Sequence, residues 1–184
     1  GPVGPASQGV DVEVRGDRAV AAWRSADTLA GHAYVADGPP DALPEGAPIS
    51  TAETLAGAPS VWLDGEDRVV AWTEGWLERG RQGGHLLVQR ADEPPRPSLS
   101  VGEIGARVHL TADETSPMVT LRDLRSSRHR AFVGRLDERL RLRDDDLGSP
   151  GRADAEDVTP MLVPCGDHVF AVMARRSSRE VTMV

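Results

Sequence analysis

The chain has 184 residues, 39% of them apolar, and carries 29 acids against 21 bases for a net charge of −8. That length suffices for one sizeable domain, and the acidic balance argues against a nucleic-acid backbone as partner, since phosphate contacts want a basic surface. No apolar run approaches a membrane span, and the one cysteine, Cys165, excludes an intrachain disulfide.

Residues 1–9 are rich in Gly, Pro, Ala and Ser and read as a linker or disordered lead-in. A first unit follows over 10–57, with expected strands Val10–Val14, Arg18–Trp23 and Gly31–Ala36 and a fourth over Ile49–Leu55. Its first hairpin tip spells Arg15-Gly16-Asp17, an integrin-recognition tripeptide in a place where a turn by itself wants Gly-Asp. The turn-rich loop from Asp37 to Gly46 must cross the surface.

A second unit covers 58–106. Val61-Trp62-Leu63 and Val69-Val70-Ala71-Trp72 flank an Asp64-Gly65 turn, a strong hairpin signal because Gly tolerates positive φ. The stretch Thr73–Gly84 reads as a polar excursion, and a third strand follows at His85–Val88. On that excursion Trp76, Arg79 and Arg81 are the candidate binding residues, because an exposed tryptophan offers a large contact area at low entropic cost. Packing of Trp76 beneath the loop is the competing reading.

The third unit, 107–158, holds strands at Met118–Leu121 and Ala131–Val133, an arginine-rich middle, and a carboxylate-rich tail. Within that tail Asp144, Asp145 and Asp146 are calcium candidates by ligand type, although the twelve-residue calcium loop is absent. The last unit, 159–184, has Val169–Met173 and Val181–Val184 as strands. Cys165 precedes its turn and reads as a small, semi-buried strand-end residue.

These units repeat. Gly16 and Gly65 are 65 − 16 = 49 apart, Trp23 and Trp72 are 72 − 23 = 49 apart, and Leu121 takes the tryptophan slot at 121 − 72 = 49. The last step is longer, 173 − 121 = 52, ending at Met173. Short strands at such a period are the signature of β-propeller blades, each a small antiparallel sheet that must stack on its neighbours. The expected fold is therefore all-β, a series of antiparallel sheets forming a partial or associating β-propeller. A β-sandwich with accidental spacing is the alternative.

The pattern of strand, Gly-Asp or Asp-Gly turn, then Val20-Ala21-Ala22-Trp23 or Val69-Val70-Ala71-Trp72 resembles bacterial sialidase-like and related propellers. The resemblance implies a propeller fold and an exported location. The sialidase box Ser-x-Asp-x-Gly-x-x-Trp is absent from every unit. Sialidase hydrolysis would also need a tyrosine nucleophile, and the one tyrosine, Tyr34, falls within an expected strand. His32 and His85 hold matching slots at the start of third strands, with His129 one place off; repeat descent accounts for them better than metal binding does.

No phosphate loop, zinc spacing, serine-nucleophile elbow or redox cysteine pair is present, and no cofactor is expected. The reading that follows is a non-catalytic scaffold binding protein or glycan through its blade loops. The alternatives are part of a propeller glycoside hydrolase or lyase, and a structural subunit of a multichain assembly. Self-association or a companion chain would complete the ring.

Overall fold

The Gly16-Asp17 and Gly65-Glu66 turns close two-residue hairpins, Arg15 pairing with Arg18 and Asp64 with Asp67. Both glycines sit at positive φ, +61° and +60°, where an L side chain would be strained. The computed structural model describes residues 7–25, 31–51, 54–79, 81–102, 107–112, 116–125, 128–142, 156–157, 161–165, 168–172, 174–176 and 181–183. Those residues form strands, turns and irregular segments, with no helix among them.

The first blade is an antiparallel sheet in sequential order, β1 (Ser7–Arg15), β2 (Arg18–Ser25), β3 (His32–Gly38) and β4 (Ala47–Pro48). The second has β7 (Asp67–Glu78) paired on one side with β5 (Leu55–Ala56) and β6 (Ser60–Asp64), and on the other with β8 (Arg81–Arg90), which pairs with β9 (Arg96–Val101). The third comprises β10 (Val108–Ala112), β11 (Pro117–Arg125) and β12 (Arg128–Arg135). The fourth is assembled from two short sheets joined by the chain, β14 (Met161–Cys165) paired with β15 (His168–Val172), and β13 (Glu156–Asp157), β16 (Ala174–Arg176) and β17 (Val181–Met183) in that order. Its strands repeat the second blade's layout: 156 − 55 = 101 and 161 − 60 = 101, so β13 and β14 stand where β5 and β6 stand.

Alternation explains the stacking. Along β7, Val70 and Trp72 face one way and Val69 and Ala71 the other, so the strand is apolar on both faces, as a sheet covered on both sides requires. Val70 and Trp72 join Val61 and Leu63 against Val20, Ala22 and Val35 of the first blade. Val69 and Ala71 join Leu86 and Val88 against Val108, Leu110, Val119 and Leu121 of the third. Trp72 is fully buried, and an area of about 150–200 Å² removed from water is worth about 4–5 kcal/mol at most. The inner strands follow one another around an axis: β1 packs on β6, β6 on β10, and β10 on β14. This serial stacking is a β-propeller's and not a sandwich's.

Three features differ from the sequence reading. Ser7–Gly9 is not a lead-in but the start of β1. The first blade's fourth strand is Ala47–Pro48, and Leu55–Ala56 pairs with β7 instead, because the chain has already crossed to the second blade. The Thr73–Gly84 stretch is not an excursion: β7 and β8 stay paired out to Glu78 and Arg81. Exposed strand ends carry polar residues just as loops do.

Candidate functional site: the axial row

Inner strands contribute the side chains that reach from blade to blade. On β1, Asp11 and Glu13 alternate with Val10, Val12 and Val14. Both acids point at β6. Asp11 Oδ2 accepts from Ser60 Oγ and from Val61 N at 3.1 Å, while Glu13 Oε2 accepts from Leu63 N at 2.7 Å. One blade further, Ser60 Oγ accepts from Leu110 N at 2.9 Å. One further again, His109 Nδ1 accepts from Leu162 N at 3.4 Å. Each inner strand thus passes a polar side chain to the backbone of the next, and β1 passes two.

The three groups occupy a single column of the repeat, since 60 − 11 = 49 and 109 − 60 = 49. Sequence reasoning missed them because it aligned the conspicuous glycines and tryptophans. The signal was present: the same offset puts Asp11, Ser60 and His109 in register.

Electrostatics divides the row. Burial holds the His109 imidazole below its ordinary range, against a smaller opposing pull from Asp11. His109 is therefore neutral near pH 7. With Nδ1 accepting a hydrogen bond, its proton is assigned to Nε2, which becomes a donor. Burial raises Glu13 above the usual carboxylate value, against the Leu63 amide and Arg15, which lower it. Arg15 also holds Glu13 at 3.2 Å. Both of Asp11's contacts use Oδ2, so Oδ1 is open to another partner. The row therefore offers one open carboxylate oxygen and one imidazole donor.

A second network locks the first two blades at their turn ends. Asp37 Oδ1 accepts from Arg18 Nε at 2.8 Å, Asp37 Oδ2 also meets Arg68 at 3.2 Å, and Arg68 reaches Asp92 at 2.7 Å. The Arg18 guanidinium holds the Asp37 carboxyl below its ordinary value, with Arg68 adding to the effect. Glu74 is buried but well served: Trp72 Nε1, Thr51 N and the hydroxyls of Thr51 and Thr54 all bond to it. It pins the crossing between the blades.

The residues singled out in the sequence lie elsewhere. Trp76 projects from the far end of β7, 47% exposed, its ring lying against Gly83 of the paired strand. Arg79 follows at the hairpin tip in a left-handed conformation, φ 50°, exposed and 3.7 Å from Glu78. Arg81 opens β8 opposite Glu78. These three share one hairpin end, away from the axial row. Asp144, Asp145 and Asp146 lie outside the described residues. Among the described residues, no three His, Cys, Asp or Glu side chains cluster to hold a metal.

His32 pairs with Ser25 and His85 with Glu74, which confirms their matching slots because 74 − 25 = 49. Both are on outer strands. His129 pairs with Leu124, one place off. Tyr34, on β3, stacks on Trp23 at 5.8 Å and serves packing. Cys165 is exposed at its strand end, not semi-buried, because its face of β14 is uncovered. The Arg15-Gly16-Asp17 tip is exposed.

An open cleft of about 740 Å³ lies at the outer rim, between β9 and the turn after β12, lined by Pro97, Ser98, Ser116, Asp137, Arg139 and Arg141. Asp137 Oδ1 accepts from the amides of Arg139 and Arg141, closing its own turn. The axial row is the better candidate because groups from three blades meet there.

No protein-family model matches the sequence, and no curated protein matches it significantly. Solved structures do match. The chain is similar to a thermostable family-43 glycoside hydrolase, with TM-score 0.61 and 14% identity, over 99% of this chain and 69% of the other. It is similar to the endo-arabinase of Bacteroides thetaiotaomicron VPI-5482, TM-score 0.59 and 13% identity, over 99% and 75%. It is also similar to the family-32 β-fructofuranosidase of Bombyx mori, TM-score 0.62 and 9% identity, over 94% of this chain but only 41% of that one. None of these three is described as a sialidase. They are five-bladed propellers, and the fold of this chain is a β-propeller with four blades described.

Proposed function

We propose that the chain is part of a propeller glycoside hydrolase, with its sugar site at the axial mouth framed by β1, β6 and β10. The observation that carries this reading is the column of Asp11, Ser60 and His109, which places an open carboxylate oxygen beside a neutral imidazole donor. The glycoside hydrolases that share the fold support the substrate class. In this reading Asp11 is the reacting carboxylate, held in place by Ser60 and Val61. His109 donates Nε2–H to a sugar hydroxyl.

Glycoside hydrolysis ordinarily uses two carboxylates flanking the scissile bond. Glu13 is the neighbour of Asp11 on the same face of β1, and it is tied to Leu63 and Arg15. That engagement favours a second reading, a propeller that holds glycans without cleaving them.

Turnover of aryl α-L-arabinofuranosides and β-D-xylosides, and of sucrose, separates the two. Hydrolysis that falls at least about 100-fold in Asp11→Asn, in a variant still folded, supports the first reading. Sugar binding without turnover supports the second. Neither binding nor turnover across these sugars contradicts both.

A further inference from the structure

Among the described residues, no other blade of this chain packs on the outward face of the first blade or on that of the fourth, and both faces expose apolar side chains. On β1 the ordinary alternation is inverted: the acids face the second blade, while Val12 and Val14 are 52% and 57% exposed. On the fourth blade, Met161 and Val163 of β14 lie opposite Val172 and Phe170 of β15, all four exposed, with Phe170 at 55%.

The repeat identifies what these faces are for. Val12 and Val14 stand 49 residues before Val61 and Leu63, which are buried against the blade that precedes theirs. Phe170 and Val172 stand 101 residues after Val69 and Ala71, which are buried against the blade that follows theirs. So the fourth blade's open face has the composition of an interface toward a following blade, and the first blade's that of an interface toward a preceding one. Around a ring, one sheet satisfies both. Among the described residues, no packing joins β14 to β1 comparable to that between the other inner strands.

We infer that the two end faces are the docking surfaces for one fifth blade, an antiparallel sheet of roughly 40–50 residues with apolar side chains on both faces. The solved structures of similar fold are five-bladed rings, and the four blades described here are one short of such a ring, a gap of one blade by count. A second copy of the chain brings four blades and does not fit such a gap. The hydrogen-bond column adds a requirement. In each later blade, the residue in the Val12 slot (Val61, Leu110 or Leu162) gives its amide to a polar side chain of the blade before. The docking blade therefore carries an acceptor (Asp, Ser or His) on its inner strand, facing Val12. The loop Pro39–Gly46 already covers the outer half of the first blade, where Leu43 and Gly46 lie against Trp23. The new contact is therefore made chiefly along β1.

The test appends a fifth blade to the full chain through a Gly/Ser linker. A copy of residues 54–102 serves as one donor, and a copy of residues 7–51 as a second in case the first does not fold in its new place. Both fusions should be monomers by light scattering, with slowed amide exchange in β1 and β15 and a Tm raised by about 5 °C or more. Phe170→Asp should abolish the gain in the fusion while barely changing the unfused chain, where Phe170 is exposed. Unchanged exchange in β1 and β15 with both donors would overturn the proposal. So would an unfused chain that is a dimer by mass and dissociates on Phe170→Asp, because the occupant would then be a second copy.

Discussion

Replacing Ser60 by Ala removes one oxygen that serves three blades. Its hydroxyl donates to Asp11 on β1 and accepts the amide of Leu110 on β10, and the residue is 1% exposed. A hydrogen bond to a charged acceptor contributes about 1.5–3 kcal/mol, and a buried amide left unsatisfied costs about 1–3 kcal/mol. Asp11 keeps the Val61 amide at 3.1 Å, so its loss falls at the low end. The sum is about 3 kcal/mol. For a chain of this size that lowers Tm by roughly 6–12 °C. The comparison variant is Ser100→Ala, at an exposed position, where about 0.5 kcal/mol or less is expected. Urea denaturation with unchanged m gives both numbers. If Ser60→Ala costs no more than Ser100→Ala, the blade-to-blade column is not what holds the inner strands. A double-mutant cycle with Asp11→Ala, which removes the acceptor, isolates the Asp11–Ser60 term.

Other perturbations test separate parts. A Cβ at Gly84 would stand 2.3 Å from the Glu74 carbonyl oxygen on the paired strand, so Gly84→Ala should destabilise by at least about 2 kcal/mol in thermal melts. Burial raises the folded pKa of Glu13, so the folded chain binds more protons than the unfolded one as pH passes from the ordinary value of 4.5 up to the folded value, and stability falls across that window. Glu13→Gln should remove that fall and leave stability flatter with pH, which chemical denaturation between pH 4 and pH 7 measures. His109 behaves oppositely: its folded pKa is lowered, so its contribution is lost as pH drops from about 6.5 through the folded value, and His109→Gln should flatten that limb. Trp76→Ala should leave Tm within about 2 °C, since the ring is half-exposed at a hairpin end, and should leave axial sugar binding unchanged.

Much of the fold was legible because the repeat fixes it. The hairpins at Gly16 and Gly65 and the strands that follow them sit 49 residues apart, and the sheets obey that offset. The two-residue strands β5 and β13 were not legible, because so short a pairing is specified by the neighbouring strand and not by its own residues. The Trp76 hairpin was misread because a strand that runs past the edge of the stack is polar, as a loop is. The axial row was half legible: the column of Asp11, Ser60 and His109 is in the spacing, but which way β1 faces is not. Alternating valines ordinarily mark the covered side of a strand. Here the acids take the inner interface, because the backbone of β6 needs acceptors there.

The most direct test of the axial site is the imidazole spectrum. Proton–carbon NMR of the five histidines, during titration with arabino-, xylo- and fructo-oligosaccharides, reads His109 apart from His32 and His85 on the outer strands. The account predicts that the His109 resonances shift saturably while those of His32 and His85 stay in place. A shift of His85 or of the Trp76 indole with His109 unmoved would place the sugar on the outer hairpin and contradict the axial site.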